Sequence, residues 1–327
     1  MEVGRTMRAA ISASYGSPDV LEIRDVPRPL PAAGEVLVKV RATTVSRTDC
    51  GMLEPHPFFV RVTAGLLRPK LIILGMDFAG TVETVGLGVT AYKAGDRVFG
   101  MSTETFGAHA EYLCVSVDGQ IAKMPANTSY DEAVVCEGAW YADTNLRWLG
   151  LEAGQSILIY GASGAIGVAA VQLAKARGAT VTAVVGARHV ELAASLGADR
   201  VIDYTTEDFT QIGDTFDAIL DAVGKTTYGQ CRKLMKPAAR FSATDLGPCW
   251  QNVLLSIWQR LTGSRRVNIP FPVSRQDFLE NMRKLMDTGA YRAVVDRTYP
   301  LEAIADAYRY VGKGQKTGIV VIDVGSQ

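Results

Sequence analysis

The first third of the chain alternates short apolar strands with turns. Between residues 35 and 42, Val36, Val38 and Val40 fall on one face and charged side chains on the other, the pattern of a half-buried strand. Prolines precede this segment, and glycines separate short strand-like runs after it, such as Gly80–Val85. The pattern predicts an irregular antiparallel barrel of about 125 residues.

The middle of the chain alternates apolar strands with apolar helices. A helix is predicted to begin near Tyr130, with Asn127 or Thr128 as its cap. Short apolar strands are then predicted at Ser156–Tyr160, Thr180–Val185, Val201–Asp203, Phe216–Ala222 and Arg240–Ala243. Strands that alternate with helices form a doubly wound parallel sheet.

The last part of the chain is predicted to form two helices followed by a strand. Helices are predicted at Arg275–Asp287 and Leu301–Val311, and a strand at Thr317–Val324. We expect this last strand to pair with the N-terminal barrel.

A glycine-rich loop joins the first parallel strand to its helix. It reads Gly161-Ala162-Ser163-Gly164-Ala165-Ile166-Gly167, with Ala162 at the first position of the Gly-x-Gly-x-x-Gly fingerprint. Gly164 would let the backbone approach a pyrophosphate, and Gly167 would let the helix pack closely on the strand. The helix N-terminus would hold the phosphates with its N–H groups. The loop therefore predicts dinucleotide binding, with a purely structural turn as the alternative.

The end of the second parallel strand indicates which dinucleotide binds. NAD sites place Asp or Glu there to accept the ribose 2′-OH, whereas this chain has Gly186. Arg188, together with His189, is expected to face a 2′-phosphate, and Tyr204 follows the third strand beside it. We therefore predict NADP(H) as cofactor. The alternative for Arg188 is an exposed charge at the start of a helix.

Composition narrows the class of function. The chain has 34 basic and 34 acidic residues, and this balance argues against a nucleic-acid partner. No apolar run reaches membrane-spanning length, and the N-terminus lacks a signal-peptide core, so neither a membrane nor export is expected. Five scattered cysteines without a Cys-x-x-Cys pair predict reduced thiols in the cytoplasm.

Further motifs extend over nearly the whole chain, at Pro31–Val38, Leu74–Gly80, Ala94–Val98, Tyr160–Ala174, Leu196–Tyr204 and Gly314–Val321. Together they resemble the medium-chain dehydrogenase/reductase superfamily, in its zinc-free quinone oxidoreductase-like branch. The resemblance implies an α/β protein with a GroES-like β-barrel domain, residues 1–127 completed by 288–327. It also implies a Rossmann doubly wound parallel-sheet domain, residues 128–287, with the active site in the cleft between the domains. A homodimer joined at sheet edges is expected, with residues 266–269 as the edge strand.

The resemblance also bears on metal binding. Zinc members of the superfamily bind metal through a Cys, a Gly-His-Glu motif and a later Cys or Asp. These positions fall here on Ser46, on Met76, and on Glu137 or Cys136. Serine and methionine are poor zinc ligands beside thiolate and imidazole, so we expect no zinc.

Four side chains are candidates for the chemistry. Ser46 is expected to donate a hydrogen bond to a substrate carbonyl, and Asp49 to orient its neighbours or relay a proton. Glu137, held in an apolar cleft, would have a raised pKa and act as a general acid, with Tyr141 as another proton source. The structural alternatives are a strand-end hydroxyl, a capping aspartate, a solvated carboxylate and a packed tyrosine.

An apolar stripe runs from Cys249 to Leu261 at helical spacing. It fits core or dimer packing, or a hydrophobic wall over a substrate pocket. The whole sequence predicts an NADPH-dependent, zinc-independent reductase of a small apolar conjugated carbonyl substrate, such as a quinone, an enone or an enoyl thioester. Two alternatives stay open: an alcohol dehydrogenase with an atypical zinc site, and a non-catalytic NADPH-binding redox sensor.

Overall fold

The computed structural model describes residues 4–55, 61–62, 65–247, 250–261, 266–273 and 276–325. Two compact units divide the chain, one of residues 1–137 with 274–327 and the other of residues 138–273. His56, Cys249 and Arg265 lie outside the described residues.

The secondary structure follows the predicted α/β order. The strands are β1 (Thr6–Ser12), β2 (Leu21–Pro27), β3 (Glu35–Val45), β4 (Asp77–Val85), β5 (Arg97–Met101), β6 (Tyr112–Ser116), β7 (Gln120–Lys123), β8 (Ser156–Tyr160), β9 (Thr180–Val185), β10 (Arg200–Asp203), β11 (Phe216–Asp221), β12 (Met235–Ala243), β13 (Val267–Asn268), β14 (Val295–Pro300) and β15 (Ile319–Asp323). The helices are α1 (Arg47–Leu53), α2 (Tyr130–Ala133), α3 (Cys136–Leu149), α4 (Ala165–Ala176), α5 (Val190–Ser195), α6 (Tyr228–Cys231), α7 (Gln251–Leu261), α8 (Gln276–Asp287) and α9 (Ile304–Gly312).

An antiparallel sheet forms the core of the first unit. Its strand order is β14-β15-β3-β4-β5-β7, with β6 also pairing with β3; within this sheet only β14 and β15 run parallel. Val36, Leu37 and Val38 of β3 are fully buried because β4 and β6 pair with this strand from both sides. The predicted return of the last strand is confirmed, since Val320 of β15 pairs antiparallel with Val45 of β3.

A parallel sheet forms the core of the second unit. Its order is β10-β9-β8-β11-β12-β13, and every neighbouring pair is parallel. Read from β8 as the first strand, this is the 3-2-1-4-5-6 order of the Rossmann fold. The order reverses between β8 and β11, where ligands bind beyond the carboxyl ends of the strands. The predicted edge strand is confirmed as β13.

Local structure differs from the prediction at several places. The cap of α2 is Ser129 rather than Asn127 or Thr128, because Ser129 and Glu132 bond each other's backbone N–H groups. The helix ends after one turn, and α3 begins separately. β12 starts at residue 235, ahead of the predicted Arg240, and a 3₁₀ turn at residues 301–303 precedes α9.

The unit boundaries also differ from residues 127/128 and 287/288, where the sequence analysis places them. One boundary falls inside α3, between Glu137 and Gly138, and the other at residues 273/274. The reason is packing: α2 contacts β3 and β4, and α8 contacts β7, so both helices belong to the first unit.

The apolar stripe forms helix α7 but is not core. Leu254, Ile257, Trp258 and Leu261 are all more than half exposed to solvent. Among the described residues, no helix has the length and apolar character required to cross a membrane.

Candidate functional site

The glycine-rich loop lies between β8 and α4, at the carboxyl edge of the parallel sheet. The N–H groups of Gly161 and Ala162 donate to Val184 O of β9, which ties the loop to the sheet. Gly161 has a φ of +76°, and a Cβ there would lie 2.6 Å from Val223. A Cβ at Gly167 would lie 2.2 Å from Gly161 O. The fold itself therefore requires glycine at 161 and 167.

Gly164 has a different environment. Its φ is −78°, which any residue adopts, and the nearest atom to a Cβ placed there is Gly161 O at 3.9 Å. As the N-cap of α4 it has no side chain to bond the first N–H groups of the helix, which keep no intrahelical partner. The protein alone would accept a side chain at 164. A ligand phosphate bound to these N–H groups would leave no room for a side chain at 164. Glycine at this position therefore fits a loop that binds a dinucleotide.

Ser163, Ala165 and Ile166 complete the loop, and each is half-buried. Ala165 and Ile166 lie in the first turn of α4, and Ser163 precedes its N-cap, so all three lie where phosphate contact is predicted.

Tyr204 lies close to Gly186 at the end of β9. A Cβ at Gly186 would lie 3.1 Å from Tyr204 Oη and 3.3 Å from its Cζ, so an Asp or Glu there would require this exposed tyrosine to shift. Tyr204 is stacked on Tyr160, with ring centroids 6.2 Å apart. Arg188 is exposed in the next turn, whereas His189 is buried. Of the two predicted phosphate contacts, Arg188 is therefore the more accessible.

Asp221 was not found from the sequence. It is fully buried at the end of β11, and its carboxylate accepts hydrogen bonds from the N–H groups of Val223, Gly224 and Thr226 at 2.8–3.1 Å. Val223 is the residue against which Gly161 packs. Asp221 thus fixes the loop that follows β11, next to the point where the strand order reverses. Its signal in the sequence is an acid at the end of the apolar run 218–220.

In the first unit, a polar cluster surrounds the start of α1. Ser46 caps this helix: its Oγ donates to Asp49 Oδ2 at 2.8 Å and accepts from Asp49 N at 3.1 Å. Asp49 is fully buried, and its Oδ1 accepts from Gly75 N at 3.0 Å. Asp49 therefore forms the capping contact that was its structural alternative and also ties down the loop before β4, and its role in orienting neighbours or relaying a proton stays a prediction.

Glu137 joins this cluster from the start of α3. Its Oε1 accepts a 2.5 Å hydrogen bond from Thr48 Oγ1, and its backbone N–H donates to Asp77 Oδ1 at 2.9 Å. Glu137 and Asp77 are both buried. Thr48 and Asp77 were missed as site residues, because only the folded chain brings them to Glu137.

Burial sets the protonation of these carboxyl groups. Burial, and then the charge of Asp49, raise the pKa of Glu137 to about 7. Burial raises the pKa of Asp49 to about 6, and burial with the charge of Glu137 raises that of Asp77 well above its usual value. Carboxyl groups this close in a low-dielectric interior cannot all ionise, so the cluster retains protons near neutral pH.

His109 packs beside the cluster but is not suited to carry a proton. Its Nε2 is 2.9 Å from Thr44 O, and its Nδ1 is 3.4 Å from Tyr308 Oη. Complete burial lowers the pKa of His109 to about 4, so the imidazole is neutral at physiological pH.

Tyr141, the fourth catalytic candidate, belongs to the second unit. It is half-buried and meets Trp140 edge to face, with ring centroids 6.1 Å apart. Its carbonyl accepts a hydrogen bond from Asn145. The structure thus brings Ser46, Asp49 and Glu137 together within one unit and places Tyr141 in the other.

Two of the three residues at the family's zinc positions do not suit zinc, whereas the third position, Glu137 or Cys136, carries a group of a kind that binds this ion. The Ser46 hydroxyl is bonded to Asp49, and Met76 is a buried thioether. Neither is a ligand of the kind that holds this ion. Within the described ranges, no group of three or more His, Cys, Asp or Glu side chains is arranged to hold a metal.

Two domain families match the chain. The alcohol dehydrogenase GroES-like domain matches residues 32–140, and the family described as zinc-binding dehydrogenase matches residues 196–322. The chain is 30% identical to the chloroplast envelope quinone oxidoreductase homolog of Arabidopsis thaliana, covering 98% of this chain and 99% of that protein. It is also 30% identical to the NADPH-dependent alkenal/one oxidoreductase of Arabidopsis thaliana, covering 98% and 80%.

Among solved structures, the quinone oxidoreductase from Coxiella burnetii superposes with a TM-score of 0.85 at 25% identity, over 98% of this chain and 100% of that one. The chain therefore belongs to the medium-chain dehydrogenase/reductase superfamily, whose members combine the two domains described above. Within it, the chain is a reductase of the quinone oxidoreductase-like branch, with a pyridine nucleotide as cofactor. The predicted superfamily and branch are confirmed.

Proposed function

We propose that the protein uses NADPH to reduce a small apolar substrate in which a carbon–carbon double bond is conjugated with a carbonyl, and that it does so without zinc. One observation carries this proposal. Glu137, one of the two residues that the resemblance assigns to the third zinc position, is a buried carboxyl bonded to Thr48, with a pKa raised to about 7. We infer that this carboxyl acts as a proton donor.

The reaction class follows from the proposed absence of zinc. Without a metal, an isolated ketone is not strongly polarised. A conjugated carbonyl needs less assistance, because charge that develops during hydride addition spreads to the distant oxygen, where one or two hydrogen-bond donors suffice. The reduced nicotinamide supplies the hydride when bound, and Glu137 supplies the proton. The names of the quinone and alkenal/one oxidoreductases among the relatives support this class.

The preference for NADPH is supported by the end of β9. Position 186 has glycine where a ribose-binding acid would stand, and Arg188 is exposed nearby. A cation facing a 2′-phosphate contributes about 1.5–3 kcal/mol as a charge-assisted hydrogen bond. The described cysteines are all free thiols, which supports a reducing compartment such as the cytoplasm.

The test is a parallel assay of NADPH oxidation with enones, quinones, saturated ketones and alcohols, with metal analysis of the same preparation. Conjugated substrates should react, and chelation should leave the rate unchanged. Turnover of saturated ketones or alcohols alone, with stoichiometric zinc, would favour the alcohol dehydrogenase alternative. NADPH binding without turnover of any substrate would favour the redox sensor.

A matched pair of variants tests the proton donor. Glu137→Gln should lower kcat and remove the ionisation near pH 7 from its pH profile, since the amide cannot supply a proton. Glu152→Gln, on an exposed turn, is the control and should behave as the wild type. An unchanged profile in Glu137→Gln would remove Glu137 from the mechanism.

A further inference from the structure

Lys316 lies beside the polar cluster and has no role in the proposal above. It precedes β15, whose Val320 pairs with Val45, the residue just before Ser46. The end of helix α9, just before this segment, contacts α1 directly, since Arg47 Nη1 donates to Gly312 O at 3.4 Å. The strand pairing and this helix contact bring the segment that carries Lys316 toward the start of α1, and the charges of Glu137 and Arg47 act on Lys316.

The Lys316 ammonium group has unused donors. It is half-buried, and among the described residues its one hydrogen bond goes from Nζ to Gly318 O at 2.5 Å. No carboxylate in the described part of the chain forms an ion pair with it, although the charge of Glu137 acts on it. An ammonium group carries three N–H donors. Burial lowers the pKa of Lys316 to about 8, so it remains mostly charged at neutral pH.

The hydroxyl donors of the cluster are already engaged. Ser46 Oγ donates to Asp49, and Thr48 Oγ1 donates to Glu137. Each hydroxyl has a single proton. The predicted role of Ser46 as donor to the substrate would require it to give up the bond to Asp49. Lys316 can donate without breaking any bond of the cluster.

We propose that the Lys316 ammonium donates a hydrogen bond to the carbonyl oxygen of the conjugated substrate and stabilises the charge that forms there. The inference rests on the proposed function. A new carbon–hydrogen bond forms at the carbon distant from the carbonyl, the double-bond pair moves toward the carbonyl, and the carbonyl pair moves to oxygen. The substrate is reduced by two electrons and the nicotinamide is oxidised. The enolate takes a proton from Glu137, which regains one from water.

The experiment compares Lys316→Met and Lys316→Arg with Lys313→Met, an exposed lysine of the same loop. Removing one donor to a developing oxyanion lowers kcat by about 10²–10³-fold, and Lys316→Met should show a loss of this size. Lys316→Arg should recover part of the rate, and Lys313→Met should match the wild type. NADPH affinity, measured by fluorescence titration without substrate, should be the same in all four proteins.

A substrate series separates this role from a purely structural one. The loss in Lys316→Met should shrink as the substrate carries stronger electron-withdrawing groups, because such substrates need less polarisation. A structural role would lower every rate by the same factor. Should Lys316→Met fail to fold, Lys316→Gln provides the uncharged variant.

Two outcomes would overturn the inference. If the wild type reduces enones and the uncharged variant does so equally fast, Lys316 does not act and the proposed function stands. If the wild type reduces no conjugated carbonyl, the proposed function fails, and the role of Lys316 fails with it.

Discussion

Separate replacement of Gly164 and Gly167 by alanine should affect different properties. Gly167→Ala should lower the stability of the protein, whereas Gly164→Ala should weaken nucleotide binding. A Cβ at 167 would lie 2.2 Å from Gly161 O and 2.6 Å from Ala162 Cα. Both are backbone atoms that cannot rotate away. Overpacking of this kind costs up to about 3 kcal/mol, and the better helix propensity of alanine returns about 1 kcal/mol. Gly167→Ala should therefore lose about 2 kcal/mol of stability, which corresponds to about 4–8 °C in Tm.

Gly164→Ala should show the opposite behaviour. The space around position 164 is open, since the nearest atom to a Cβ is 3.9 Å away. Alanine is a poorer N-cap than glycine by a few tenths of a kcal/mol. This cost in stability is offset by about 0.4–1 kcal/mol, because alanine reduces the conformational entropy of the unfolded chain. Its Tm should stay near that of the wild type. The methyl group would occupy the phosphate position, and losing about 1.5–3 kcal/mol of charge-assisted bonding weakens NADPH binding by about 10- to 100-fold.

The assay combines thermal unfolding by circular dichroism with titration of NADPH into each variant. Wild-type affinity in Gly164→Ala would show that the phosphates bind elsewhere. An equal loss of Tm in the two variants would show that the difference in space between the two positions does not control stability.

The remaining predictions concern cofactor choice, pH and assembly. The ratio of NADPH to NADH affinity should fall in Arg188→Ala, and Gly186→Asp should reduce it further by displacing Tyr204; equal affinities in the wild type would contradict the assignment. Because burial raises the pKa of Glu137 from 4.5 to about 7, the stabilisation that its proton provides is complete below about pH 4.5 and is lost as pH rises through 7. Urea unfolding of Glu137→Gln should show a smaller decline across this window than the wild type, and parallel curves would contradict it. The position of β13 at the edge of the parallel sheet predicts a homodimer, and a monomer by light scattering at micromolar concentration would refute it.

The features predicted well from the sequence are those that depend on residues close together in the chain. The β8–α4 loop, the parallel strands and their helices depend on glycine spacing and apolar runs within a few residues of each other. The cap of α2 was misplaced because Asn127, Thr128 and Ser129 are all good capping residues, and only Ser129 lies three residues before an acid that returns the bond.

The candidate site was less accessible to prediction, because its contacts join distant parts of the chain. Thr48 meets Glu137 only through tertiary packing, and the segment that carries Lys316 is brought toward α1 by the pairing of β15 with β3. The sequence analysis named Ser46, Asp49 and Glu137 as candidates but not Thr48 or Asp77, which bond Glu137. The Ser46–Asp49 capping pair, by contrast, is a four-residue pattern and was readable from the sequence.

The return of β15 to β3 has a consequence for synthesis on the ribosome. Residues 138–273 form the second unit as one continuous segment. The first unit is made of two segments, one before and one after it in the sequence. At about 5–20 residues per second, the ribosome takes roughly 10–40 s to pass from residue 137 to residue 319. During that interval the edge of β3 that β15 will cover lacks its native partner. A chaperone that binds unpaired strands would therefore find its target there, and translation pauses between residues 137 and 319 should lower the yield of native protein.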